Sequence, residues 1–357
     1  MIEMLKFENF RGFKKIELSE LKPITLISGK NNTGKSSILE GIFLFLDHIS
    51  PDCFSKINYF RGTTIPNNSL LLWESIFYHM DTGKQLQISM KKENIFSSLT
   101  YLRDDTFIPP NDINTSPEMM NQIIFSAKSA YTLKFQYQRG IYSEDGHFIA
   151  SPAGMVRNIT TSLVHNQIDP MPSAYFINSA IINSNNSLIA EWFGRVELEG
   201  KKQQVVNILQ LIEPEIYDLS TIAANNQVQL YVKIGQQLLP LRLAGDGLNR
   251  LLYLILSIVA NPDNIILIDE IETGFHYSMF PKLWESISKA ALENNCQIIA
   301  TTHSYECIVG AIDGIEKADR KSDFCYLRID KIENGNLAIL YSADLLKAAV
   351  MTNMEVR

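Results

Sequence analysis

Gly29-Lys30-Asn31-Asn32-Thr33-Gly34-Lys35-Ser36 decides how this chain is read. The eight residues fit G-x-x-x-x-G-K-[ST], the pattern of a phosphate-binding loop. Their flanks fit as well. Ile24-Thr25-Leu26-Ile27-Ser28 is a short apolar run that reads as a buried strand, and Ser37 to Leu46 reads as the helix that follows. A loop between such elements turns consecutive backbone N–H groups, and the positive end of a helix, toward phosphate. Lys35 would reach the β- and γ-phosphates of a nucleoside triphosphate, and the Ser36 hydroxyl would ligate Mg²⁺. The competing reading is a glycine-rich turn that binds nothing.

The chain as a whole permits a large folded protein. It has 357 residues, 46% hydrophobic and 20% charged, so one large domain or two can be built. No run approaches the ~18 apolar residues that a membrane span needs. The first residues enter a strand-like pattern at once, so no signal peptide is expected. Cys53, Cys296, Cys307 and Cys325 are scattered, which fits a reducing cytoplasm and small buried hydrophobes. The six histidines show no metal-site spacing, and His48 near Cys53 does not make a site. The net charge of −7 argues against a surface coated with basic residues for gripping DNA. Residues 1–35 carry seven Lys or Arg against four Glu, which leaves them net +3. Two of those cations belong to the loop itself.

Along the chain, Leu5 to Phe10 and Lys15 to Leu18 alternate, with Arg11-Gly12-Phe13 between them. They read as two strands joined by a turn, laid beside the strand that feeds the loop. Arg11 has two readings, an exposed turn residue or a cation folded over the nucleotide. From Ser50 to Pro172 prolines break the pattern, and only Gln85–Met90, Leu99–Leu102 and Leu133–Tyr137 look like strands. This is a β-rich lobe with long loops and no chemical constellation. Regularity returns with a strand at Ala174–Ile177, helices at Ser187–Phe193 and Lys202–Ile212, and a strand at Gln227–Ile234. No repeats and no sustained heptads occur, so a long coiled-coil arm is absent.

Three motifs follow in order. Leu243-Ala244-Gly245-Asp246-Gly247-Leu248-Asn249-Arg250 opens a strongly apolar helix. Ile265-Ile266-Leu267-Ile268-Asp269-Glu270 is a continuous apolar strand ending in two acids. After a helix at Phe280–Leu292, Gln297 to Ser304 is a buried strand ending at His303. Strand, helix, strand is the parallel α/β pattern, with functional groups at the carboxyl ends of the strands. Phe324–Asp330 and Leu337–Tyr341 read as a hairpin turning at Asn334-Gly335. Asp269 would hold Mg²⁺ and Glu270 would orient or deprotonate the attacking water. The competing reading is a strand that ends in solvated acids. His303, ending a neighbouring strand, would reach the γ-phosphate; a histidine satisfied by its surroundings is the alternative. Gly245-Asp246-Gly247 at a helix start is a second anion-binding element. One nucleotide does not need two from one chain, so two chains facing head to tail would use both. The plainer reading is a glycine turn feeding a core helix.

The opening Leu5-Lys6-Phe7-Glu8-Asn9-Phe10-Arg11-Gly12-Phe13 resembles that of RecF, SMC-type and OLD-family ATPases. Leu267 to His276 resembles the Walker B segment of OLD and related anti-phage ATPases, and Ala300-Thr301-Thr302-His303-Ser304 resembles their switch-histidine segment. The resemblance covers about Met1 to Leu46 and Tyr175 to Ser304. It implies an α/β P-loop NTPase of ABC-ATPase type, with a mixed and parallel sheet core, an antiparallel β lobe and a helical signature subdomain. Residues 1–49 and 173–357 would form the core, with 50–172 inserted. It implies a nucleotide-sandwich dimer or higher homo-oligomer that binds ATP and Mg²⁺. Carried over, Gly29, Asn31, Asn32, Thr33, Gly34, Lys35, Ser36, Ser37 and Arg11 hold the nucleotide, and Ser36 and Asp269 hold the metal. Glu270 is the base, Lys35 assists, and His303 is the switch. Ala244, Gly245, Asp246 and Gly247 would reach the partner's ATP.

Departures shape the functional expectation. Ala244 stands where many ABC proteins carry serine, so one hydroxyl contact is missing and slow turnover is expected. The lobe-coupling glutamine is not identifiable, with Gln136 a weak candidate. The acidic nuclease domain of OLD proteins is not found beyond the Walker B strand. The leading expectation is therefore a cytoplasmic ATPase that senses or scaffolds and controls a separately encoded effector, a nuclease or toxin, in phage defence. The alternative is a DNA-binding repair or recombination ATPase of RecF/SMC type, which keeps nucleic acid as a partner. A transporter subunit is disfavoured by the Asn9-Phe10-Arg11-Gly12-Phe13 opening.

Overall fold

A computed structural model describes all residues except 64–70, 108–131, 152–153, 164–169, 185, 225–226 and 334. The chain divides into two compact units. One comprises Met1–Leu21, Asn32–Met171 and Asp330–Ala338; the other comprises Lys22–Asn31, Pro172–Ile329 and Ile339–Arg357. Residues 1–49 are thus shared between them. The phosphate loop itself passes from the second unit into the first between Asn31 and Asn32.

The first unit is built on an antiparallel sheet. Its strands are β1 (Ile2–Phe10), β2 (Phe13–Leu18), β4 (Leu86–Lys92), β5 (Ile95–Arg103), β6 (Thr132–Arg139), β7 (Tyr142–Ser151) and β8 (Gly154–Leu163). Their spatial order is β2-β1-β4-β5-β6-β7-β8. Ile2, Leu5, Phe7 and Phe10 of β1 are buried, and the intervening residues are half-exposed, as expected for a sheet with one covered face. The rings of Phe10 and Phe13 stack on Phe7 at 5.5 and 6.1 Å. The helix Lys35–Leu46 lies against this aromatic cluster. A Cβ at Gly41 would come within 2.3 Å of the Phe7 ring, so glycine allows the close approach.

The second unit carries a six-stranded sheet and a small three-stranded one. The strands of the large sheet are β3 (Ile24–Ser28), β9 (Ala174–Ile177), β13 (Ile265–Ile268), β14 (Gln297–Thr301), β15 (Phe324–Ile332) and β16 (Gly335–Ser342). Their order is β16-β15-β3-β14-β13-β9. From β15 to β9 every neighbouring pair is parallel. β10 (Ile216–Ala224), β11 (Gln227–Ile234) and β12 (Gln237–Pro240) form the antiparallel three-stranded sheet. The helix Asp246–Val259 is buried along almost its whole length, matching its uninterrupted apolar sequence. Phe280–Glu293 and Tyr305–Lys317 follow β13 and β14, the crossovers that parallel neighbours require.

One expectation is corrected. The opening hairpin does not lie beside the strand that feeds the loop. β1 pairs with β4, while β3 has β14 and β15 as neighbours. The sequence already distinguishes them physically. β1 alternates and suits an antiparallel sheet with one wet face, whereas all five residues of β3 are buried, as in a parallel sheet covered on both faces. Of the expected tail hairpin, Asn334 lies outside the described residues. Among the described residues, no helix is long and apolar enough to cross a membrane.

Candidate functional site

The candidate site grows from the carboxyl edge of the parallel sheet. In register, Ile27 stands beside Thr301, and Ile268 beside Ala300. Three segments therefore leave the same edge of the second unit: Ser28-Gly29 after β3, Asp269-Glu270 after β13, and Thr302-His303 after β14. Open parallel sheets bind ligands at this edge.

Thr301 organises the two acids. Its hydroxyl donates to Asp269 Oδ1 at 2.6 Å and accepts the Glu270 backbone N–H at 2.9 Å, so one O–H is used in both directions. Glu270 has φ +51°, an uncommon conformation for a residue with a side chain. It is held there from both sides. Arg250 Nη2 donates to the Glu270 carbonyl at 2.8 Å, and Arg250 Nη1 donates to Ser179 Oγ at 2.8 Å. Burial lowers the Arg250 pKa, opposed by the charges of Glu272, Glu270 and Asp269. The Glu270 side chain is 53% exposed. It is open to a ligand while its backbone is fixed.

His303 stands between two carboxylates. Its Nδ1 is 3.3 Å from Glu272 Oε1 and 4.0 Å from Glu270 Oε1. Its backbone N–H donates to Glu272 Oε1 at 3.0 Å. Ser304 follows as the cap of the helix Tyr305–Lys317, accepting from the Cys307 N–H at 3.1 Å.

The Gly245 element sits at the start of the Asp246–Val259 helix in the same unit. Gly245 has φ +108° and no side chain caps this terminus, while Asp246 stands exposed in the first turn. Ala244 donates its N–H to the Leu241 carbonyl at 3.1 Å. Arg250, a turn further along this helix, is the residue gripping Glu270. The start of the helix and the backbone of the second acid thus share one rigid element.

In the other half of the loop, within the first unit, Gly34 takes φ +95° as the residue preceding the helix. A side chain is excluded there twice over, because a Cβ would meet the Phe13 ring at 2.3 Å. Lys30, Asn31 and Asn32 are exposed, Thr33 is buried, and Lys35 and Ser36 are half-buried. The Thr33 carbonyl accepts Asn336 Nδ2 at 3.1 Å. Ser37 Oγ accepts from Arg61 Nη2 at 3.1 Å.

Arg11 is not an exposed turn residue. Its side chain is 7% exposed, and its Nε lies 3.0 Å from Oε2 of the buried Glu40. Its Nη1 donates to the Ser75 carbonyl at 2.8 Å. Arg61 Nε donates to the other Glu40 oxygen at 2.6 Å. Two guanidiniums therefore hold one carboxylate on the helix that begins at Lys35. Gln136 lies exposed on β6, between Thr100 and Asp145 of the neighbouring strands.

Thr301, Arg250, Glu272, Asn336 and the Glu40–Arg61 pair were not singled out from sequence. A threonine at the end of a buried strand and an arginine inside an apolar helix were the available signals. Asn336 had none, being 303 residues from its partner.

Among the described residues, no cluster of three or more His, Cys, Asp or Glu side chains forms a ready-made metal site. At the carboxyl edge of the second unit Asp269 offers carboxylate oxygens, which are hard donors. Those suit Mg²⁺, which is usually held by one or two protein oxygens together with substrate phosphate.

Comparison with known proteins adds a family and a fold. Residues 24–308 match the family described as "AAA domain, putative AbiEii toxin, Type IV TA system". The chain is 24% identical over 353 residues to an ATP/GTP phosphatase of Helicobacter pylori, covering 91% of this chain and 90% of that one. Over 105 residues it is 31% identical to the DNA replication and repair protein RecF of Chlorobium phaeovibrioides, covering 27% of this chain and 28% of that protein. An Smc head solved with the C-winged helix domain of ScpA is similar with TM-score 0.53 and 14% identity, over 97% of this chain and 99% of that one. An Smc head with an extended coiled coil, solved with the C-terminal domain of ScpA from Pyrococcus furiosus, gives TM-score 0.51 and 11% identity, over 99% and 98%. The structural likenesses establish the fold, the α/β arrangement of an Smc head.

Proposed function

The chain belongs to the AAA-domain family described as putative AbiEii toxin of type IV toxin–antitoxin systems, and from that membership and the sheet-edge geometry we propose an ATP-hydrolysing switch that controls a separate effector. One observation carries the reading. The parallel register of β3, β14 and β13 sends Gly29, His303 and the Asp269-Glu270 pair out of one edge. The phosphatase name of the Helicobacter pylori relative supports hydrolysis of a nucleoside triphosphate.

In this reading the N–H groups of Gly29 to Gly34 cradle the phosphates, and Lys35 places its charge on the β- and γ-phosphates. Asn31, Asn32, Thr33 and Ser37 complete the cradle. Arg11 and Arg61, through Glu40, support the helix that carries Lys35 and Ser36. Ser36 and Asp269 hold Mg²⁺, which when bound neutralises charge on the phosphate oxygens. Glu270, open to solvent and fixed by its backbone, accepts a proton from the attacking water. His303 donates to the γ-phosphate oxygen. The uncapped helix start at Gly245 and Gly247, with Ala244 and Asp246 beside it, faces the nucleotide of a second copy, so that ATP bridges two chains. Without a hydroxyl at Ala244, turnover is slow.

The effector and its place in phage defence rest on the resemblance of Leu267–His276 and Ala300–Ser304 to anti-phage ATPases, an analogy at the level of family. Phosphate release by the purified chain tests the catalytic core. Wild-type protein should hydrolyse ATP in the presence of Mg²⁺, and Lys35→Ala should lose nucleotide binding. Hydrolysis by Lys35→Ala at the wild-type rate would end this reading.

A second reading is a DNA-linked repair ATPase, favoured by the 31% identity to RecF over 105 residues. It requires ATPase stimulated by DNA, with affinity that falls steeply as salt rises. The net charge of −7 weighs against it.

A further inference from the structure

Glu272 joins the segment after β13 to the segment after β14. Its Oε1 accepts the His303 N–H at 3.0 Å and lies 3.3 Å from the imidazole Nδ1. The carboxylate is far more enclosed than its neighbours. Its side chain is 10% exposed, against 53% for Glu270 and 48% for His303. Its second oxygen, Oε2, is buried and has no hydrogen-bond partner among the described residues. Leaving a buried acceptor unsatisfied is costly, and neither contact with His303 is needed to hold a β-strand.

The Arg250 guanidinium is attracted by Glu272 before Glu270 and Asp269. Its hydrogen bonds go to the Glu270 carbonyl and Ser179 Oγ, not to Glu272. The direct partner of Glu272 is therefore His303, through both main chain and ring.

We propose that Glu272 is a positioning residue for hydrolysis, holding the His303 main chain and ring so that Nε2 is the atom presented to the γ-phosphate. This rests on the ATPase reading above. A carboxylate can only accept hydrogen bonds, so Nδ1 must carry hydrogen to face it, and in the imidazolium form Nε2 carries hydrogen as well. Nε2–H is then the donor left for the γ-phosphate oxygen. The logic is that of a reacting group oriented by a neighbour that never touches the substrate. The backbone contact adds a second constraint, because displacement of the Glu272 segment carries His303 with it.

The test compares wild type, Glu272→Ala, Glu272→Gln, His303→Ala and the double variants, using Mg²⁺-ATP for kcat and KM and a fluorescent ATP analogue for affinity. Glu272→Ala should lower kcat about 10- to 100-fold. KM and analogue affinity should stay within about threefold, as for an interaction used in the transition state. Glu272→Gln keeps an acceptor for the His303 N–H and should recover part of the loss. In the His303→Ala background, removing Glu272 should change kcat by less than about twofold, because its effect runs through the missing ring.

Losses that multiply in the double variant would overturn the proposal, since a residue supporting only the fold would still cost activity there. Unchanged kcat in Glu272→Ala at full nucleotide occupancy would overturn it too. If Glu272→Ala does not remain folded at assay temperature, the isosteric Glu272→Gln carries the same comparison. A loss of about threefold or more in Glu272→Gln alone, and none with His303→Ala, supports the proposal. Wild-type protein that releases no phosphate above the Lys35→Ala background would refute the ATPase reading itself, a result distinct from either Glu272 outcome.

Discussion

The buried carboxylates of the antiparallel unit and the acids at the carboxyl edge of the parallel unit are held in opposite ways. In the antiparallel unit, two carboxylates are enclosed and matched. Glu40 is 1% exposed and lies between Arg11 and Arg61, and Glu144 is buried against Arg157. At the carboxyl edge of the parallel unit, Asp269, Glu270 and Glu272 gather near one buried guanidinium, and Glu270 is more than half exposed. The difference teaches where to look for chemistry. Charges that saturate one another support a fold. Charges fixed by their backbone, but left open along the side chain, are set to meet a ligand.

The contrast can be broken most sharply at Glu270. Glu270→Gln should reduce phosphate release by about 10²- to 10⁴-fold, the range for loss of a general base, while ATP binding persists. The variant should melt at the wild-type temperature, because Thr301 and Arg250 hold its backbone rather than its side chain. Unchanged hydrolysis would remove Glu270 from the role of base.

Glu40 should behave in the reverse manner. Glu40→Ala leaves two guanidiniums without their carboxylate and should cost about 3–5 kcal/mol in a denaturant titration, the usual penalty for breaking a buried pair. A loss below about 1 kcal/mol would mean that Arg11 and Arg61 find other partners.

The antiparallel unit should also carry a pH dependence. Burial pushes the His48 imidazole down to about 4 from 6.5, with its Nδ1 2.7 Å from the Phe45 carbonyl and its ring stacked on Tyr137. Its folded pKa is depressed, so the unfolded chain binds the extra proton between pH 6.5 and pH 4. Stability contributed by the neutral ring is full above that window and falls as pH drops through it. By pH 5 the loss should reach about 2 kcal/mol. His48→Gln should flatten that part of the profile, and an unchanged profile would exclude His48 as its source.

The smallest effect is expected at Thr301. Thr301→Val keeps the shape of a buried strand residue and orphans the Glu270 N–H, at about 1 kcal/mol of stability. It should lower kcat more than it lowers the melting temperature. The opposite pattern would make Thr301 a packing residue only.

Much of the parallel unit was legible because its signals are local. β3, β13 and β14 are continuous apolar runs of four or five residues, and each ends in the residues that matter. The antiparallel unit was legible only where strands alternate, as in β4 and β6. β7 contains Ser143-Glu144-Asp145-Gly146-His147, a polar stretch without apolar alternation. It is a strand because Glu144 is neutralised by Arg157 across the β7–β8 ladder, and because Gly146 fits where a Cβ would strike the Asn158 carbonyl at 2.1 Å. Pairing across strands, not composition, makes that segment regular. The same holds at the site. Lys35, Asp269, Glu270 and His303 belong to contiguous motifs, whereas Arg250 and Thr301 acquire their roles only when strands and helix come together.

The most direct test is the mass of Glu270→Gln in solution, measured by light scattering on a sizing column with and without Mg²⁺-ATP. A site completed by the Gly245 helix of a second copy predicts a shift to at least twice the single-chain mass on adding ATP. The shift should be absent when Lys35→Ala is combined with Glu270→Gln. A mass that stays the same with ATP bound would contradict the ATP-bridged switch and leave the phosphate loop as a site complete within one chain.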